Sequence, residues 1–169
     1  DRTTYIGGSD AAAVLGLSPW PSQTPLACYL RKIGATPSSE MEPDKAQLRN
    51  MERGKLMEPV ALRMLEMEHP VKITKRSADG APNRYQDKEI EFLAAEIDAE
   101  WEVTEEAIVS LGKENVIVPR ELIGTTQNIE VKSHHFGAFM SMYGEVGTDE
   151  ITAEYGAQAM HGLTVTGRQ

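Results

Sequence analysis

Asn128-Ile129-Glu130-Val131-Lys132-Ser133 is the stretch on which the fold turns. Its alternation predicts a buried strand, on which Glu130 and Lys132 point together while Ile129 and Val131 face the other way. An acid beside a lysine on one strand face is most simply an ion pair, and a motif this short recurs by accident. Its weight comes from what precedes it. Phe92-Leu93-Ala94-Ala95-Glu96-Ile97-Asp98 runs from an apolar segment into an acid at its end. An acid closing one strand, with acid, spacer and lysine on the next, can gather two carboxylates and an amine around one point. Two carboxylates make a hard-oxygen site suited to Mg2+ or Mn2+, ions that keep waters and bind substrate phosphates. A lysine there can orient a water, favour its ionised form and stabilise the charge of a pentacovalent phosphate. The outline is that of a phosphodiester hydrolysis site.

Length and composition bound the possibilities. The 169 residues suffice for one domain with a real core, and 40% hydrophobic with 25% charged residues is ordinary for a soluble globular protein. No apolar run is long enough to span a bilayer and the start, Asp1-Arg2-Thr3-Thr4-Tyr5, has no signal-peptide pattern, so a cytoplasmic location and no membrane partner are expected. Cys28 is the single cysteine, which excludes an intrachain disulfide, a cysteine-rich zinc site and a four-cysteine iron–sulfur cluster. His134 and His135 would point to opposite faces of a strand and make poor joint ligands. A net charge of -9 argues against an ordinary nucleic-acid binder. Arg53, Lys55, Lys72, Lys75, Arg76 and Lys113 could still line a local basic groove, or be scattered solvated charges.

Along the chain, Ile6-Gly7-Gly8-Ser9-Asp10 leads into an alanine-rich helix with Ser9 as its expected N-cap and Gly16 after its end. Two glycines before a helix N-terminus allow the backbone to approach an anion, although capping alone explains Ser9. Trp20 is expected to pack, and Thr24 caps a second helix with Pro25 in its first turn and Gly34 beyond it. Residues 35–42 read as a mobile connection. A helical pattern from Pro43 to about Glu68 is expected to be interrupted at Gly54 and Pro59, with Glu58 just before the bend and, on position alone, at the surface.

Residues 71–75 read as a strand, 78–83 as a turn and 89–101 as one long strand or a pair with a break. Residues 103–124 form an inserted hairpin or partly helical excursion, and residues 129–133 return to the sheet. A short helix over 136–143 and a loop over 144–149 follow. Thr152 caps a final helix that sets a polar stripe of Glu154, Gln158 and His161 opposite Ala157, Met160 and Leu163. The chain stops soon after, where such a sheet would usually gain a strand, so a single domain over 1–169, truncated at its C-terminus, is expected.

The ordered set is more specific than any member. Ile6-Gly7-Gly8-Ser9-Asp10-Ala11-Ala12, Gly54 with Glu58-Pro59, Asp98, Glu130-Val131-Lys132, and Tyr155 with Gln158-Ala159-Met160-His161-Gly162-Leu163 together resemble the phage lambda-type alkaline exonucleases, a viral recombinase family of the PD-(D/E)XK nuclease superfamily. The resemblance spans nearly the whole chain and departs from the pattern at Ala99, where glycine is common. It implies an α/β (α+β) fold, a central mixed sheet flanked by helices with a restriction-endonuclease-like core. It implies that Asp98, Glu130 and Glu58 hold metal together with Val131, that Lys132 is the catalytic lysine, and that Gln158 joins the catalytic set with Tyr155 beside it on the substrate. It implies Mg2+ or Mn2+ as cofactor, two ions about 4 Å apart. Arg2 and Ser9 would then receive the 5'-terminal phosphate of double-stranded DNA. Ring-shaped homotrimers, a single-strand annealing partner and a phage or prophage origin in a bacterial host go with the family.

Three functions remain open on the sequence. The first is a 5' exonuclease on linear duplex. The second is an internally cutting nuclease of restriction or repair type, whose chemistry is the same. The third is a non-catalytic DNA-binding protein of the same fold, against which the presence of all four of Glu58, Asp98, Glu130 and Lys132 argues.

Overall fold

The computed structural model describes residues 2–36, 43–76, 83–134 and 150–168. Among these lie five α-helices, α1 (Gly8–Val14), α2 (Pro25–Lys32), α3 (Lys45–Glu68), α4 (Glu105–Gly112) and α5 (Ala153–Thr166). The strands are β1 (Lys72–Arg76), β2 (Asn83–Gln86), β3 (Ala94–Ile97), β4 (Ala99–Glu102) and β5 (Thr126–Ile129), and 3-10 turns occupy Arg2–Thr4 and Arg120–Leu122. The fold is thus mixed α+β. The chain groups into two compact units, one of residues 1–50, 84–96 and 152–167 and one of residues 51–83, 97–151 and 168–169. The expected helix over 136–143, the loop over 144–149, His135 and most of the 35–42 and 78–83 segments lie outside the described residues.

In the first unit, α1 packs on α5 through Ala11, Ala12 and Ala157, small residues that let two helices approach closely. Gly8 serves the same contact, since a Cβ there would stand 3.1 Å from Gln158 Cγ. The N-cap of α1 is Gly7 rather than Ser9, which lies exposed inside the first turn. The physical reason is Asp10, whose Oδ2 accepts the Gly7 N–H at 3.0 Å and so fixes where the helix begins. Asp10 also receives Lys32 Nζ at 2.7 Å, Arg31 Nη2 at 3.4 Å and the Cys28 thiol at 3.9 Å, tying α1 to α2.

Thr24 caps α2 by accepting Ala27 N–H at 3.1 Å, and Gly34 takes φ +71° beyond it. Thr152 caps α5 in the same way and Gly167, at φ +67°, ends it. The polar stripe of α5 does not face solvent opposite an apolar side. His161 Nε2 donates to the Ala94 carbonyl at 2.9 Å, Gln158 meets Gly8, and Met160 is the exposed residue at 62%. Trp20, expected to pack, is likewise exposed, because the 3-10-like turn around Ser18 and Gln23 bonds to itself and leaves the ring outside.

The second unit holds an antiparallel sheet of order β1-β4-β5. Ile73, Trp101 and Ile129 share the face that packs with Val71, Val103, Ala107 and Leu111, so α4 and the residues around it close the core. The 103–124 insertion is therefore partly helical, with Thr104 capping α4 through the Ala107 N–H. The strand expected from residue 89 begins only at Ala94, and the break in the pair falls at Asp98, between β3 and β4. Helix α3 runs unbroken through Gly54 and Pro59. Proline in a helix removes only one N–H, and here the flanking turns carry the helix past it.

Candidate metal centre

The ladder between β4 and β5 runs from Glu102↔Thr126 to Ala99↔Ile129 and stops there. At the next step Asp98 Oδ2 accepts the Val131 N–H at 2.8 Å. A carboxylate has replaced the main-chain carbonyl of a ladder, so the expected strand over 129–133 ends at Ile129. Glu130 and Lys132 nevertheless meet, with Nζ 2.7 Å from Oε1 and each side chain 29% exposed. The pair is open to solvent on one side.

Glu58 reaches this locus from α3. Leu62, one turn on and buried, shares its helix face and turns it inward, which position in the sequence alone did not reveal. Burial first, then the negative charges of Asp98 and Glu130, raises the Glu58 pKa above the ordinary carboxylate value. Burial also raises Asp98, against the opposing pull of the Val131 N–H and Lys132. Glu130 is raised by burial and by Asp98, again opposed by Lys132. Three carboxylates therefore share a region with one ammonium and each holds its proton more tightly than in water.

That excess of negative charge on hard oxygens fits a small divalent cation. The ligand set is not preassembled: among the described residues no three His, Cys, Asp or Glu side chains converge into a cage, and Lys132 sits on a Glu130 oxygen. The donor chemistry and the charge balance suit such an ion.

The sequence did not point to Arg168, Glu100 and Asn128. Glu100 is 6% exposed in the middle of the sheet, paired across the ladder with Asn128. Arg168 Nη2 lies 3.1 Å from Glu100 Oε2, and Nη1 donates to Asn128 Oδ1. The available signal was the alternation of β4, which puts Glu100 two residues beyond Asp98.

The residues expected on the substrate side, Arg2, Ser9 and Tyr155, and the expected catalytic Gln158 belong to the first unit. Arg2 is in the opening 3-10 turn and Ser9 is exposed on α1. Gln158 and Tyr155 are half-buried on α5, and the Tyr155 phenol is raised by burial and by Glu154. Among the basic candidates, Lys72 is paired with Glu102, while Arg53, Lys55 and Lys113 are exposed.

The model of the YqaJ-like viral recombinase domain matches residues 1–169, the whole chain. The chain belongs to the YqaJ-like viral recombinase family. Over 78 residues, 46% of this chain, it is also 33% identical to the uncharacterized protein YqaJ of Bacillus subtilis (strain 168). The match spans 22% of that relative's length. No helix among the described residues is long and apolar enough to cross a membrane.

Proposed function

We propose that this chain is a divalent-metal-dependent nuclease domain that hydrolyses phosphodiester bonds of linear double-stranded DNA from the 5' end. The observation that carries the reading is the group Glu58, Asp98, Glu130 and Lys132, in which three acids with raised proton affinity face one lysine at a strand end. Asp98, Glu130 and Glu58, with the Val131 main chain, hold Mg2+ or Mn2+. Bound there, one or two such ions supply a Lewis acid for the phosphate and an activated water. Lys132 keeps its ammonium at the reacting group, where it stabilises charge building on the phosphate oxygens. Gln158 and Tyr155 act on the substrate side, and Arg2 with the exposed Ser9 hydroxyl receives the 5'-phosphate through charge-assisted bonds. A ring-shaped homotrimer and a single-strand annealing partner complete the reading, which rests there on the family resemblance.

The test is digestion of one duplex in three forms, linear with 5'-phosphate, linear with 5'-hydroxyl, and covalently closed circular, with Mg2+ or Mn2+ added. Rapid loss of the phosphorylated linear form, slower loss of the hydroxyl form and survival of the circle are expected. Arg2→Ala with Ser9→Ala should erase the preference between ends while cation binding persists. Cutting of the closed circle would replace this reading with an internally cutting nuclease.

A further inference from the structure

We propose that Arg168 is a positioning residue for the candidate metal centre, clamping β4 to β5 two residues before Asp98 and Glu130, where the strands give way. The inference rests on the metal-binding reading above. Beyond Ala99↔Ile129 the two strands are joined by a side chain, the Asp98 carboxylate on the Val131 N–H, and no longer by ladder bonds. What fixes the relative height of Asp98 and Glu130 is therefore the last rungs before them. One of these is Glu100↔Asn128, and both of its side chains are bound by the same guanidinium.

Arginine suits this duty because its fork is rigid, planar and always charged, so two donors at fixed spacing reach two acceptors on different strands. The Arg168 side chain is 15% exposed and that of Glu100 7%, so the pair is held in a dry place where a misplaced partner has no water to turn to. Without Arg168, the buried Glu100, two residues from Asp98, would lose the cation that ties it to Asn128 on β5. The clamp thus acts on the metal-binding acids through the backbone, as groups that orient ligands do elsewhere.

The experiment compares the unmutated chain with R168Q, R168K and the double variant E100Q/R168Q. Three quantities are read: Mn2+ affinity by calorimetry, melting temperature, and hydrogen exchange of the Val131 amide in the cation-free protein. The Val103 amide, bonded to the Thr125 carbonyl at 2.9 Å in the same unit, is the exchange reference. R168Q is expected to weaken Mn2+ about tenfold to a hundredfold and to speed Val131 exchange relative to Val103. R168K keeps the charge without the fork and should recover the melting temperature but only part of the affinity. E100Q/R168Q removes the buried acid together with its cation, so its melting temperature should return while its Mn2+ affinity stays low. A double variant that binds Mn2+ as the unmutated chain does, with unchanged Val131 exchange, would overturn the clamp and leave a pair that only stabilises. Failure of the unmutated chain to bind Mn2+ would overturn the metal reading itself, and the positioning role with it.

Discussion

Asp98 spends one carboxylate oxygen on the Val131 amide, and this sets both its electrostatics and its mutational signature. Asp98→Ala should cost cation affinity, since a hard ion loses a charged ligand, whereas Lys132→Ala should leave affinity largely intact and slow turnover by about a hundredfold or more. Calorimetry with Mn2+ beside single-turnover cleavage separates the two, and near-normal turnover by the Lys132 variant would remove its assigned role. The raised Asp98 pKa carries a further consequence. A carboxyl that binds its proton more tightly folded than unfolded destabilises the fold once ionised, so stability is lost as pH rises from the ordinary carboxylate value through the folded one. Asp98→Asn, which can still accept the Val131 N–H, should therefore raise the melting temperature of the cation-free protein at neutral pH. The gain should shrink when the comparison is repeated below the ordinary carboxylate range. An equal gain at both pH values would contradict burial as its cause.

Between elements, Gly8 faces Gln158 where α1 packs on α5. Gly8→Ala adds a methyl group 3.1 Å from Gln158 Cγ and is expected to cost about 1 kcal/mol of crowding, against a comparable gain in helix propensity. In a Gln158→Ala background the crowding vanishes, so the same substitution should become stabilising. Chemical denaturation of the four members of this cycle measures the change of sign, and an identical effect in both backgrounds would deny the contact. Helices of this kind were legible because their limits are local: Thr24 with Pro25, Thr152, and Gly34 and Gly167 act within a turn. The end of β5 was not legible, because it is set by a carboxylate 33 residues away. The start of α1 misled for a different, local reason, since Asp10 rather than Ser9 takes the Gly7 amide. Glu58, Asp98, Glu130 and Lys132 stand out as residue types in order, whereas the Arg168 bonds to Glu100 and Asn128 join segments 40 or more residues apart that no local pattern connects.

Across the molecule, the charge of -9 bears on the proposed binding of DNA. Several cations are already matched by acids, Lys72 by Glu102, Arg120 by Glu105, and Lys32 and Arg31 by Asp10, so fewer are left to displace counterions. DNA binding should accordingly show a shallow salt dependence, a slope of log affinity against log salt of about -3 or less steep, as for roughly three phosphate contacts. Anisotropy titrations across a salt series would test this, and a slope near that of strongly basic binders would mean a groove of free cations exists. Cys28 offers a view of the same molecule from inside. As the one thiol of the 169-residue chain, 2% exposed and bonded to Asp10, it also lines a cavity of about 480 Å³ with Tyr5, Tyr29 and Phe92. At 2% exposure the thiol should react slowly with a thiol-reactive dye, so labelling kinetics report the breathing of that unit with no engineered site. Asp10→Ala, which releases Lys32, Arg31 and the Gly7 amide together, should turn a slow label into a fast one.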